Sequence, residues 1–371
     1  HENDASPLGW VGMYLFDDLN RLRQGTEHFS CWPMDRGNPI GTCEENMGGD
    51  PQRTPALTVT LDRYPKTVLY PRNLHLTGMP RPVTEHGYAD QPWTSSERDR
   101  VKELLLSDPL EQLSRKDQKL MWKLRYMCTT RPEGLAKVLR AADWTDKEAV
   151  QEVHRLLDEW ETLTPKQALE LLDAHYPDER VRSYAVDCLR PLPDDELAEF
   201  VLQLVQVLKY EQSHDSTLAT FLISRAIRCP NLVGHIFFWH LKAEMHVAEI
   251  SERYGLILEL YLELSPAHRK DLHTQNVVME LLLYAARSIK DKSVAKKDRK
   301  AKLHEVLAAT EFPERFGLPL NPEWVCKGLK VEKCKYMDSK KLPLWLCFVS
   351  ADPVGKDLYV MFKDGDDLRQ D

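Results

Sequence analysis

Three hydrophobic periods follow one another along the chain. Up to about Pro71 the runs are short: Ala56-Leu-Thr-Val-Thr-Leu61 alternates apolar with polar residues, 10–16 is an apolar run, 28–32 is aromatic-rich, and 67–70 follows before Pro71. Period two marks a half-buried strand, and the Gly-, Pro- and Asn-rich stretch 36–55 between these runs predicts an exposed loop. The texture is that of a β-sandwich with too few strands to close one. Residues 74–96, with Pro80, Pro82 and Pro92 and few aliphatics, read as a linker. From 97 to 265 the period becomes helical, in segments 120–127, 133–141, 147–160, 165–174, 179–189, 196–210, 216–228, 232–245 and 247–264. Thr145-Asp-Lys-Glu148 and Thr164-Pro-Lys-Gln167 each place a Thr three residues before Glu or Gln, so both Thr residues are predicted N-caps.

Successive helices of this kind, none able to bury its apolar stripe alone, predict an α-solenoid. Asp178, Val181, Arg182, Ala185, Val186 and Leu189 resemble the D-x-x-V-R-x-x-A-V-x-x-L core of a HEAT repeat, with the apolar members on one helical face. The runs 200–208 and 234–241 are apolar almost all round and should lie between layers. Residues 290–302 carry seven Lys or Arg in thirteen, which predicts a solvated helix or loop, with a membrane or partner contact as the alternative. After Pro322 the period returns to β, in Leu344-Trp-Leu-Cys-Phe348 and Leu358-Tyr-Val-Met-Phe-Lys363.

Composition narrows the class. The 371 residues carry a net charge of −8, which disfavours nucleic acid as a partner. The eight cysteines form no CxxC pair, a spacing that suits reduced thiols of a cytoplasmic protein better than a disulfide scaffold. No run approaches the roughly 20 apolar residues of a membrane span, and the start lacks a signal-peptide pattern. The beginning HENDASPLGW and the end GDDLRQD read as abrupt, so a piece of a longer chain is expected. His235, His240 and His246 lie at spacings that do not share a helical face, and no H-E-x-x-H occurs, so no zinc site is expected.

The last hairpin carries the candidate chemistry. Alternation puts Lys363 on one face with Tyr359 and Met361. A lysine closing a buried apolar strand needs an anion, and protein kinases use a strand lysine in V-A-I-K to reach nucleotide phosphates. No glycine-rich loop precedes it; the polar loop Met337-Asp-Ser-Lys-Lys-Leu-Pro343 stands in that place, with the Ser339 hydroxyl, Lys340, Lys341 and backbone amides able to meet phosphates.

The strings K-C-K-x-M-x-S-K-K-x-P-L-W-L and F-K-x-G-D-D-L-R-Q-D resemble the start of the class I phosphoinositide 3-kinase catalytic domain. The helical strings at 178–189, 202–211 and 234–245 are similar to that family's helical domain, and the opening L-G-W-V and L-F-D to the end of its C2 domain. Pro7-Leu-Gly-Trp-Val11, His214-Asp-Ser216, Glu332-Lys-Cys-Lys335 and Ala351-Asp-Pro353 are most similar to the gamma (class IB) subunit. Arg115 and Lys116 stand near the acidic positions with which class IA subunits meet a regulatory SH2 domain.

The resemblance implies a multidomain α+β chain. Residues 1–73 would be the end of a C2-like β-sandwich, 74–96 a linker, and 97–268 a HEAT-like α-solenoid (PIK) domain. Residues 269–325 would be linker and helices, and 326–371 the start of a kinase small-lobe sheet. It also implies transfer of the ATP γ-phosphate to the 3-hydroxyl of phosphatidylinositol 4,5-bisphosphate in receptor signalling, by a cytoplasmic transferase recruited to the plasma membrane. Lys363 would meet the ATP phosphates and Ser339 would sit in the phosphate-facing loop. Met337, Pro343, Trp345 and Met361 would line the adenine side, and Asp366 and Asp371 a polar floor. The cofactor would be ATP with Mg2+, whose metal ligands, like the catalytic residues, would lie outside these residues. The expected partners are a regulatory subunit, a heterotrimeric G-protein βγ dimer or small GTPase, and a phosphoinositide membrane. The D-R-H-x-x-N and D-F-G strings are missing from the 371 residues, which alone should be inactive. The competing expectation is an α-solenoid scaffold for protein–protein interaction.

Overall fold

The computed structural model describes residues 8–17, 19, 21–33, 55–69, 94–108 and 111–365. In chain order the elements are strands β1 (Gly25–Ser30) and β2 (Ala56–Leu61), then helices α1 (Ser95–Leu106), α2 (Arg115–Lys123), α3 (Arg125–Cys128), α4 (Leu135–Ala141), α5 (Lys147–Glu159), α6 (Pro165–Glu170) and α7 (Glu179–Leu189). Next come α8 (Asp194–Ala198), α9 (Val201–Val207), α10 (Thr217–Arg228), α11 (His235–Glu244), α12 (Ala248–Leu264), α13 (Pro266–Lys290) and α14 (Arg299–Ala309). Strands β3 (Phe316–Leu318), β4 (Asn321–Leu329), β5 (Lys335–Tyr336), β6 (Leu344–Ser350) and β7 (Leu358–Phe362) follow. The chain divides into two compact units: His1–Pro193 with Leu202–Phe221 and Glu244–Tyr254, and Asp194–Val201 with Leu222–Ala243 and Gly255–Asp371.

In the first unit β1 and β2 pair antiparallel, Gly25 opposite Leu61. Phe16 and Leu69 make only single bridges, to Leu22 and Arg21. The loop expected over 36–55 and most of the linker expected over 74–96 lie outside the described residues.

The HEAT-like string folds as its spacing requires. The Asp178 carboxylate caps α7 by accepting from the Val181 N–H at 3.0 Å, while Val181, Ala185, Val186 and Leu189 are fully buried. Arg182, on the same face, crosses the layer: its Nε donates to Glu211 Oε1 at 2.7 Å and its Nη1 to the Leu172 carbonyl at 2.9 Å. A buried Arg at this position is tolerated because a carboxylate and carbonyls meet its donors.

The expected cap at Thr164 forms, with Gln167 Oε1 accepting from the Thr164 N–H at 2.9 Å and Pro165 opening α6. The expected cap at Thr145 does not. Asp146 caps α5, accepting from the Glu148 N–H at 3.0 Å, and Thr145 turns its hydroxyl to Asp143. A carboxylate one residue nearer the helix outcompetes the hydroxyl, since Asp is the stronger cap. The segment expected over 196–210 is also interrupted, α8 ending at Ala198 and α9 starting at Val201.

In the second unit α13 runs for 25 residues, so the boundary expected after 268 falls inside a helix. Pro266 occupies its first turn, where a missing N–H leaves no bond unmade. The basic stretch 290–302 divides into the last residue of α13, a turn, and the first turns of α14.

Strand structure begins earlier than the sequence period suggested. β3 and β4 pair on either side of Pro319-Leu320, and the β4–β6 register shifts between Cys326 and Leu329. There Gly328 holds φ +141, a conformation side chains avoid. The sheet is antiparallel with β6 at its centre, bordered by β7 on one edge and by β4 and β5 on the other. Leu344, Leu346, Phe348 and Phe362 bury one face against Val278, Leu282, Leu303 and Leu307 of α13 and α14. Among the described residues no helix is long and apolar enough to cross a membrane.

Candidate functional site: the open face of the terminal sheet

The register of three strands assembles the candidate residues. Lys335 of β5 lies opposite Trp345 of β6, which lies opposite Met361 of β7. Directly opposed residues share a face, so these three side chains form a row. Continuing the same registers by one pair and skipping to the next residue on that face gives a second row, Met337, Pro343 and Lys363. The backbone bond from the Met337 N–H to the Pro343 carbonyl, 2.8 Å, holds its first half.

Five of the eight predicted positions, Met337, Pro343, Trp345, Met361 and Lys363, therefore fall on one face, opposite the one that packs on α13 and α14; Pro343 is buried there. Tyr359 extends this face, its ring centroid 6.1 Å from that of Trp345. Met361 and Tyr359 remain 39% and 49% exposed, leaving an apolar floor open to a ligand.

This placement corrects one premise. β7 is not buried on both sides, and Lys363 is half-buried on the open side, not closed into apolar surroundings. Alternation had put Tyr359, Met361 and Lys363 together, but the hydrophobicity of the run disguised that only Leu358, Val360 and Phe362 turn to the core.

Ser339 is exposed in the loop joining β5 to β6. That loop is closed by its own backbone: the Ser339 N–H donates to the Met337 carbonyl at 2.9 Å and the Leu342 N–H to the Ser339 carbonyl at 3.1 Å. Leu342 takes φ +48, a left-handed conformation uncommon for a branched side chain, and its own burial helps to hold it there.

The chain beyond Lys363 is pinned as well. Lys290 Nζ donates to the Asp364 carboxylate and carbonyl, each at 3.0 Å, and Lys341 Nζ to the Gly365 carbonyl at 2.6 Å. Asp366 and Asp371 lie outside the described residues. Among the described residues no three His, Cys, Asp or Glu side chains converge as a metal site.

Sequence reading did not single out Lys335 as a site residue. It has the same parity as Met337 two residues on, which was the available signal. Cys347, opposite Tyr359 in the register, shares this face but is fully buried, as is Cys334; burial raises the Cys334 thiol above its ordinary range. They pack as small apolar groups, and the Cys347 N–H approaches Cys334 Sγ at 3.5 Å.

Comparison with known proteins decides the family. Residues 89–274 match the phosphoinositide 3-kinase family accessory domain (PIK domain). The chain belongs to the phosphoinositide 3-kinase family. It is 40% identical, over 98% of its length, to Phosphatidylinositol 3-kinase 2 of Dictyostelium discoideum, and 40% identical over 99% to Phosphatidylinositol 3-kinase 1 of the same organism. Phosphatidylinositol 3-kinase 3 of that organism is 35% identical across the whole chain. The chain spans about a fifth of the length of these relatives, 21%, 23% and 22% respectively. Within the family match, α1 to α12 and the first turns of α13 form the helical part, and the small antiparallel sheet follows it.

Proposed function

We propose that this chain supplies one wall of the nucleotide site of a lipid kinase, which transfers the ATP γ-phosphate to the 3-hydroxyl of phosphatidylinositol 4,5-bisphosphate. The observation that carries it is the pair of rows Met337–Pro343–Lys363 and Lys335–Trp345–Met361 on one open face. Trp345, Met361 and Met337 offer a flat apolar bed for an adenine ring, while Lys363, Lys335 and the Ser339 loop supply cationic and hydroxyl donors for phosphates at its end. These donors fit a nucleoside triphosphate. Mg2+, when bound with it, would neutralise charge on the phosphates; this reading assigns the metal's ligands to residues outside these 371 and, following the resemblance, a polar floor to Asp366 and Asp371.

The finer assignment follows the resemblance: class IB, with a regulatory subunit and a G-protein βγ dimer or small GTPase as partners, acting from the cytoplasm at a phosphoinositide membrane. The 371 residues contain neither a D-R-H nor a D-F-G string, so on this reading they do not phosphorylate lipid by themselves.

The test is amine labelling of Lys363 in the full polypeptide that carries this chain, with and without ATP, read by mass spectrometry. ATP should protect Lys363, and Lys363→Met should remove nucleotide binding while the melting temperature holds. Equal labelling with and without ATP would refute the nucleotide reading and leave the solenoid as a scaffold.

A further inference from the structure

The outward side of α12 carries an apolar stripe that the nucleotide reading does not use. Leu256, Leu260 and Leu264 recur at every fourth residue and are 46%, 46% and 53% exposed, whereas Ile257 and Tyr261, one step round the helix, are buried. Single exposed leucines are ordinary surface; a contiguous row of them is the kind of patch that marks an interaction site. The sequence from Gly255 to Leu264 contains no cation. Glu259 and Glu263 are exposed, as is Glu252 one turn earlier. At 3.6 residues per turn these three glutamates fall within about 60° of Leu256, so the leucine row has an acidic border.

That border selects the occupant. An anionic lipid surface would meet like charge. A second copy of the same face in a two-fold contact would set glutamates against glutamates. An amphipathic helix with leucine-like residues at matching spacing and Lys or Arg along its flanks satisfies both the stripe and the border. We propose that this face of α12 docks a basic amphipathic helix from a partner protein. The proposal does not depend on the nucleotide reading, because it uses no residue of the terminal sheet.

The experiment is a fluorescence-anisotropy titration of the full polypeptide against a labelled 18-residue peptide of Leu and Lys at helical spacing. A twin peptide carrying Glu for every Lys is the control. The lysine peptide should bind saturably and the glutamate twin should not. Leu260→Ser should weaken binding about tenfold, Glu259→Lys and Glu263→Lys should each weaken it several-fold, and added salt should weaken it further. The leucine is exposed, so Leu260→Ser should melt with the wild type, and this separates lost docking from lost folding. Absence of binding, equal binding of the twin, or indifference to Leu256→Ser and Leu260→Ser would overturn the proposal. So would sedimentation with phosphatidylserine vesicles that those two variants abolish, which would assign the face to lipid.

Discussion

Replacing Glu211 by Ala tests whether the HEAT-like layer is held by a buried charge pair. Arg182 and Glu211 have side chains only 4% and 6% exposed. Glu211 Oε1 accepts from Arg182 Nε at 2.7 Å and also from Arg182 Nη2. Arg182 Nη1 is spent on the carbonyls of Leu172, Asp173 and Tyr176 at 2.9, 3.2 and 3.3 Å. A second guanidinium, Arg253, is buried beside the same carboxylate and donates to the Glu211 carbonyl at 2.6 Å. Burial, and then the neighbouring Arg182, press Arg253 towards its neutral form, while Glu211 opposes them.

Glu211→Ala therefore strands one buried cation and leaves a second less compensated. Breaking a buried pair by removing one partner costs about 3–5 kcal/mol, against about 0–1 kcal/mol for an exposed pair. At about 2–4 °C per kcal/mol for domains of this size, the melting temperature should fall by roughly 6–20 °C. Glu211→Gln keeps an acceptor without the charge and should fall between the variant and the wild type. Asp187→Ala, which breaks the exposed pair with Arg190, serves as the surface control. Calorimetry of the purified chain at low and high salt, with hydrogen exchange of the α7 amides, reads all three. The Glu211→Ala loss should persist at high salt, because screening acts little on buried charge. A loss below about 1 kcal/mol, equal to the surface control, would refute the claim that the pair braces the layer.

Two further predictions concern the second unit. Burial, and then the neighbouring His235, pull the His268 imidazole from 6.5 down to about 4, so the unfolded chain binds the proton first and stability is lost as pH falls from about 6.5 towards 4. The slope gives about 2 kcal/mol between pH 6.5 and 5; His268→Gln should flatten that part of a urea-unfolding series, and an unchanged slope would sink the assignment. Gly234→Ala should destabilise by at least about 2 kcal/mol, since a Cβ there would meet the Tyr261 hydroxyl at 2.2 Å and the Ala226 carbonyl at 2.7 Å. Adding Tyr261→Phe should not restore the melting temperature, because the backbone clash remains.

Sequence pattern disclosed the helical half of the fold well and the sheet poorly. Asp178, Val181, Arg182 and Ala185 could be read because cap and stripe are local consequences of residue type at fixed spacing. Pro266 opens α13, which runs through the boundary expected after 268: proline ends one helix and opens the next, and only the chain's geometry distinguishes the two. β3 and β4 were hidden by Pro319 and Pro322, which are tolerated because Pro319 lies in the turn and Pro322 falls at the irregularity of β4, between the paired Asn321 and Val325. Met337, Pro343, Trp345, Met361 and Lys363, five of the residues expected at the site, do share one sheet face. Their neighbour Lys335 escaped because its place depends on a cross-strand register that no single segment encodes.

That register orders the side chains of the open face, and the buried face fixes it. Leu344, Leu346, Phe348 and Phe362 all turn to the core, so slipping β7 by one residue would drive Lys363 and Met361 inward and expose Phe362. The cost of burying an ammonium opposes that slip at the same position where burying Phe362 favours the observed pairing. The ion pair from Lys290 to Asp364 and the bond from Lys341 to the Gly365 carbonyl then fix the residues just after Lys363. The hydrophobic pattern of one strand face thus positions the polar chemistry of the other. A change deep in the core, such as Leu346→Ala, should disturb the open face through register without touching any residue on it, which hydrogen exchange of the β7 amides would read.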